Sequence, residues 1–501
     1  MGRERVRNDA PAAAPHAVSP LRRPQELWAL GGLLIGYFPV YVLQLTWLYD
    51  PMNIIGPLVL GGVLGWSAYH IAERDPDAVW APLFWFRIAS AAYFGFGALV
   101  PHIVNLETLQ HIQSLYYFDA AMNFKVNFLY CTGIFFTLMF SYIFLGLFGG
   151  RFQGARNRKR SQVDRTLQIA IVFLTVGAIL RYGMVVPYTF GLTDSVLPGV
   201  IGTLSRMYYV GIYLLIVYAM DRNKKILLPA SVLVAIDIVV SVSSFAKAEL
   251  LLILIFSFLG FISRGVTKKK VLAGALCVLF AYFWFQPLVG YGRAELALRY
   301  GEIRGAGLYE RIDIVKNYFA GAASGNTPTR QGGLSRLSYM NVDSYVVSRY
   351  DAGMPGYTLG DAAAVLVPRV FWPGKPIITQ LGADLNFLVF RQVGSSLGVG
   401  HFAEAYWNFG WLGIVPFMFV LALILTIFSL VSMGIVARKD WLFFPVVFIG
   451  VYMGIRVDGF FVPDILGPAW MALVLGAGLS IARLFLLSPA GLRSRRFVNR
   501  T

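Results

Sequence analysis

Along the chain, long apolar runs alternate with short polar interruptions, and the runs are longer than the helices of soluble cores. A bilayer core takes about 20 apolar residues per helix. Runs of that kind with polar ends fall at 27–48, 54–72, 80–104, 127–149, 167–190, 196–220, 226–242, 250–263, 271–289, 411–436, 441–457 and 466–487. The pattern predicts an all-α, polytopic integral membrane protein of about twelve transmembrane helices with both termini on one side.

Only between the ninth and tenth runs does the apolar pattern lapse over a domain-like length, at 291–410. Within it, 295–319 reads as an amphipathic helix, with Leu296, Leu298, Ile303, Leu308 and Ile312 set between charges, lying on the membrane surface or capping the bundle. Residues 321–333 are small, polar and turn-rich, 334–347 resumes a helical pattern, and Pro355, Gly360, Pro368, Pro373 and Pro376 punctuate a loop. The turn at 394–400 (GSSLGVG) lacks the Lys-Ser/Thr ending and preceding strand of a phosphate-binding loop, which leaves it a structural role. The expected organisation is a disordered tail (1–25), a helical bundle (26–290), one large helical outer loop (291–410), three further spans (411–487) and a basic tail (488–501).

Composition agrees: 57% of residues are hydrophobic and 14% charged, far from soluble usage. The formal net charge of +17 would, in a soluble chain, raise nucleic acid as a partner. Its placement argues otherwise. Lys and Arg collect in alternate connections (Arg151 to Arg165, Arg222 to Lys225, Arg264 to Lys270, Arg438 and Lys439, and Arg493 to Arg500), as expected of short cytoplasmic loops. The acidic turn at 73–77 is the exception, and the 291–410 segment is close to balance, with eleven basic and nine acidic residues. No cleavable signal precedes the first run. Cys131 and Cys277 both fall inside predicted helices, so neither a disulfide framework nor a zinc site is indicated, and metal-ligand spacing is absent.

Ionisable groups inside a bilayer cost about 2.5 to 3.5 kcal/mol each on insertion scales, so they face a cavity or a partner. Arg87, Arg181, Arg206, Asp237, Lys247, Glu249, Arg456 and Asp458 qualify. Pairs such as Arg456 with Asp458 or Lys247 with Glu249 account for some; Arg181 and Arg206 have no acid nearby in sequence, and a diphosphate would satisfy them. If these helices are neighbours, a cationic, outward-opening cavity follows. His401 and Glu404, at i and i+3 of a helix start, share one face, as a general base and its orienting partner or as a first-turn acid favoured by the helix dipole. Trp372, Tyr406, Trp407 and Trp411 suit an interface belt.

The stretches LVPRVFWPGKP (366–376) and GHFAEAYWNFGWLG (400–413) resemble the Wzy-type oligosaccharide repeat-unit polymerases of O-antigen and exopolysaccharide synthesis. SSFAKAELLL (243–252) is similar to a helix start in that family and in the related O-antigen ligases. The resemblance implies a GT-C-like, metal-independent, inverting glycosyltransferase of the bacterial cytoplasmic membrane, without cofactor, acting outside the cytoplasm. It would transfer a growing glycan from undecaprenyl diphosphate onto a new lipid-linked repeat unit. The implied partners are this lipid-linked oligosaccharide as donor and acceptor, membrane lipids, and a chain-length regulator and flippase, with no nucleic acid.

By position the resemblance assigns Arg369, Lys375 and Lys247 to the diphosphate and His401 and Glu404 to catalysis; Arg181, Arg206, Arg336 and Arg349 join the diphosphate group on physical grounds. Asn408 and Phe409 stand where the ligases carry an acid, so the base lies between His401 and Glu404. The competing readings are a ligase, a flippase or transporter for lipid-linked sugars, and a monomer-adding GT-C enzyme. A transporter is disfavoured by the lack of internal repeats. The monomer-adding enzyme is disfavoured because the first outer loop offers only Asp50.

Overall fold

The computed structural model describes residues 20–156, 165–193, 197, 199–262, 268–300, 306–323, 334, 337–367, 371–372, 374–378, 380–390 and 396–486. Among them every regular element is helical. In chain order these are α1 (Pro24–Val42), α2 (Tyr49–Arg74), α3 (Pro82–Ile103), α4 (Leu106–Leu115), α5 (Ala120–Arg156), α6 (Thr166–Thr189), α7 (Gly199–Asp221) and α8 (Leu227–Ser243). There follow α9 (Lys247–Ile262), α10 (Lys268–Tyr300), α11 (Leu308–Ala323), α12 (Met340–Asp351), α13 (Gln380–Phe390), α14 (His401–Ala437), α15 (Phe444–Ile455) and α16 (Gly467–Leu486). Nine helices among the described residues are long and apolar enough to cross a membrane, and the segments Glu249–Ile262 and Trp441–Ile455 are shorter apolar helices. The chain is a polytopic membrane protein by this architecture.

Short connections make consecutive spans antiparallel, which gives the bundle two chemically distinct ends. At the basic end the connections carry Arg222, Lys224, Lys225, Arg438 and Lys439. Buried polar bonds mark that end: the Arg23 amide donates to the Tyr142 hydroxyl, and Arg483 pairs with Asp440 at 2.9 Å. At the opposite, loop end Asn53 donates to the Ala120 carbonyl, and Lys125 pairs with Asp351 at 2.6 Å.

Several predicted boundaries move. The tail expected to be disordered through residue 25 is buried at its end, with Leu21 and Arg23 packed in the basic end; residues 1–19 and the basic C-terminal tail lie outside the described residues. The expected surface helix 295–319 divides: its first turns continue the span α10 to Tyr300, and α11 is a separate helix. Arg311 anchors α11 by donating to the carbonyls of Ala306 (3.0 Å) and Thr189 (2.9 Å), and burial lowers its guanidinium to about 10. The tenth span opens at His401, ten residues ahead of the apolar run, because His401, Glu404 and Asn408 are polar by composition yet buried. The expected helix 334–347 is α12, shifted toward the C-terminus, and it is no surface element: Met340, Val342, Asp343, Ser344, Val346 and Val347 are buried where it packs on α14 and α5. Its approach needs a small neighbour, since a Cβ on Gly97 of α3 would stand 2.1 Å from the Leu337 carbonyl oxygen.

Gly410 breaks α14 between its first turns and its long apolar part, at φ 63° and ψ −157°. That region is open essentially to glycine, and a Cβ there would also stand 2.6 Å from the Tyr350 hydroxyl. Gly410→Ala is therefore expected to destabilise the protein by about 1–3 kcal/mol. Thermal unfolding in detergent checks this, and a variant melting with the wild type would show that the break is dispensable.

Candidate functional site

Two fully buried acids, Asp343 and Glu404, lie at the loop end. Asp343 on α12 accepts hydrogen bonds from the Tyr130 hydroxyl of α5 (2.6 Å) and the Gly400 amide at the start of α14 (3.0 Å). Burial pushes its carboxyl up to about 7, against the lowering effect of those two donors. Glu404, one turn into α14, is wholly buried: Oε1 accepts from the Thr358 hydroxyl at 2.6 Å and Oε2 from the Phe461 amide at 2.7 Å. Asn408, a turn further, donates to Thr358 Oγ1 (2.8 Å) and accepts from the Thr358 amide (3.1 Å). Glu404 thus ties the loop to α14 and to the turn before α16. His401 shares its face as the spacing requires and is equally buried, edge-on to Phe461 and beside the Arg456 and Gly459 backbone. The turn at 396–400 has a packing reason for its glycines, since a Cβ on Gly398 would stand 2.2 Å from the Asp458 carbonyl oxygen.

The intramembrane cations are paired. Arg456 bonds Asp464 at 3.0 Å and Asp458 at 3.4 Å, and Asp458 also accepts from the Tyr339 hydroxyl at 2.6 Å. Arg181 donates through Nε to Asp237 (2.5 Å), through Nη1 to Glu249 (3.0 Å) and through Nη2 to Ser241 (3.3 Å). Arg206 reaches Glu249 at 3.4 Å and lies over the Tyr452 ring, 5.0 Å from its centroid. Tyr209 donates to the same Glu249 at 2.5 Å, and Tyr182 to Asp237 at 3.0 Å.

The expectation that Arg181 and Arg206 lack an acid is therefore corrected: their partners lie 43 to 68 residues away in sequence and meet them only through packing of α6, α7, α8 and α9. A cationic cavity does not follow from the helices alone. Arg181, Arg206 and Arg456 are matched by Asp237, Glu249, Asp458 and Asp464. Arg206 and Arg456 nevertheless keep about a quarter and a third of their side chains exposed, and Tyr452, which carries Arg206, is one turn before Arg456. Beside Arg206 the packing leaves only a small gap of about 10 Å³, lined by Met207 and Val210 of α7, Phe448 and Ile449 of α15, and Leu475 of α16.

Of the remaining sequence candidates, Lys375 turns back on its own loop, donating to the Val367 carbonyl at 2.9 Å. Arg349, half-buried on α12, makes no ion pair among the described residues. Arg336 and Arg369 lie outside the described residues, as does the side chain of Lys247. Asp343, Thr358 and Asp464 were not singled out from the sequence. Nothing local marks them, because each acquires its role from a partner on a distant element.

No family model matches the chain, and neither a curated protein nor a solved structure is similar enough to match.

Proposed function

We propose that the protein is a polysaccharide polymerase of the Wzy type, with a GT-C-like fold of twelve membrane crossings. Its basic end would face the bacterial cytoplasm and its loop end the periplasm. The observation that carries the reading is the composite nature of the loop end: from the one long inter-span segment, Asp343 of α12 bonds Tyr130 of α5 and the Gly400 amide, and Thr358 bonds Glu404 of α14. A site made jointly by a large extramembrane segment and the bundle suits an enzyme whose substrates carry water-soluble glycan on a membrane lipid.

In this reading the diphosphate lies against the exposed parts of Arg206 and Arg456, with Lys247, Arg336, Arg349, Arg369 and Lys375 supplying the positive charge that the paired helical guanidiniums lack. Arg181, enclosed by Asp237 and Glu249, positions rather than binds. An acceptor hydroxyl attacks the anomeric carbon of the donor glycan and the bond to the lipid diphosphate breaks. The hydroxyl proton passes to Glu404 or His401, Glu404 first yielding its bond to Thr358.

A flippase or transporter is the second reading, favoured by the π-helical interruptions at Ala91–Phe96, Arg181–Val185 and Val462–Leu466 and by the balanced intramembrane charges. Purified protein reconstituted with lipid-linked repeat units and a chelator separates the two. The polymerase reading expects lengthened glycan and free lipid diphosphate. Movement of repeat units across the bilayer without bond formation would overturn it in favour of transport.

A further inference from the structure

A lipid-facing feature lies at the basic end, away from the loop-end acids above. Between α7, α8 and α9 lies a groove of about 200 Å³, walled by Ile216, Leu227, Ala230, Val234, Ile238 and Phe261. Its chemistry changes with depth. The turn Lys224–Ile226, with Lys224 and Lys225 exposed, leads directly into Leu227 of the lining and so marks the groove's mouth. About one helical turn deeper are two hydroxyls in the lining, the exposed Ser231 on α8 and Ser257 on α9. Ser257 is 7% exposed, and among the described residues its hydroxyl has no hydrogen-bond partner. Deeper still, Val234 and Ile238 leave only hydrocarbon.

The order cation, hydroxyl, hydrocarbon along one groove matches the order phosphate, ester, acyl chain in a phospholipid. We propose that this groove is a binding site for an anionic phospholipid. The lipid phosphate rests on Lys224 and Lys225, an ester oxygen accepts the Ser257 hydroxyl, and one acyl chain lies along α8 against Leu227, Val234 and Ile238. A buried hydroxyl without a partner costs free energy, and an ester oxygen removes that cost without adding a charge. The groove offers a sugar one aromatic ring, Phe261, and no side-chain amide, and the cations beside it are at one end only. The inference is independent of the activity proposed for the loop end.

The test uses the full chain, purified in a zwitterionic detergent and titrated with dioleoyl phosphatidylglycerol or dioleoyl phosphatidylcholine, with bound lipid counted by native mass spectrometry. Wild type is expected to retain phosphatidylglycerol about thirtyfold over phosphatidylcholine, the preference that two lysines near a headgroup confer. Lys224→Gln with Lys225→Gln should bring the two lipids close to equal retention. Ser231→Trp, at an exposed position one turn below the mouth where the added ring fills the groove without entering the core, should lower retention of both. Equal retention of the two lipids by wild type overturns the proposal, as does retention of phosphatidylglycerol unchanged in both variants. Displacement of bound lipid by glycerol phosphate alone would show an anion site without use of the groove and would overturn it as well.

Discussion

Arg87→Ala is expected to destabilise the protein by about 3–5 kcal/mol, the cost of removing one partner from a buried ion pair. Arg87 is wholly buried, and its guanidinium is fully occupied. Nε donates to both oxygens of Glu26 at 3.0 and 3.1 Å, Nη1 to the Leu83 carbonyl at 2.8 Å, and Nη2 to Glu26, the Leu21 carbonyl and the Tyr142 hydroxyl at 3.1, 3.1 and 3.3 Å. Glu26 accepts further bonds from Ser67 (2.9 Å) and Tyr142 (2.6 Å). Without Arg87 a buried carboxylate is left with hydroxyl donors only, and the segment before α1 loses its anchor on α3. Arg87→Lys should recover little, because an ammonium cannot reproduce the planar fork. Glu26→Gln in the Arg87→Ala background should recover part of the loss, since it removes the stranded charge. Thermal unfolding of the detergent-solubilised variants checks both statements. An Arg87→Ala protein within about 1 kcal/mol of wild type would mean that the pair is dispensable.

Glu404 carries the second large effect, and it separates structure from chemistry. Glu404→Ala leaves the Phe461 amide and the Thr358 hydroxyl without acceptors, at about 1–3 kcal/mol for each buried donor, so this variant is expected to fold poorly. Glu404→Gln keeps the volume. Its amide oxygen can still accept from Phe461 and its amide nitrogen can face Thr358, so a folded, membrane-inserted protein is expected. If Glu404 takes the acceptor proton, that variant accumulates single lipid-linked repeat units, with elongation reduced about 10²- to 10⁴-fold. Glycan of normal length from Glu404→Gln would confine Glu404 to its structural bonds and leave His401 as the base.

Much of the helical layout was legible along the chain. The runs at 54–72, 127–149, 226–242 and 466–487 lie within α2, α5, α8 and the last span to within a residue or so, because any segment this apolar must satisfy its backbone internally. The errors fell where polar residues are buried. His401, Glu404 and Asn408 shorten the apolar run at 411 although α14 begins ten residues earlier; Glu404 and Asn408 are satisfied by Thr358 and Phe461, and His401 is buried against Phe461. Likewise the helix expected at 334–347 begins at Met340, and its composition does not show that Asp343 is enclosed by Tyr130 and Gly400, 213 and 57 residues away.

The candidate site was legible as a set of residue types and hardly at all as an arrangement. His401 and Glu404 could be placed on one face from their spacing alone, and Arg181, Arg206 and Arg456 could be recognised as costly groups in need of partners. The pairing of Arg456 with Asp458 could be read and is present at 3.4 Å, but the partners of Arg181 and Arg206 could not, because Glu249 serves both from a different helix.

By itself, then, the order of residues determined the membrane class, the succession of apolar helices and the two unlike ends of the bundle, since twenty consecutive apolar residues or a run of lysines act through their own solvation. Tertiary structure alone decided which charges are spent on one another, which segment of the long loop enters the bundle, and how much of each guanidinium remains to meet a ligand. Those outcomes depend on the short-range geometry of charges and hydrogen bonds between residues tens to hundreds of positions apart, and only helix packing sets that geometry.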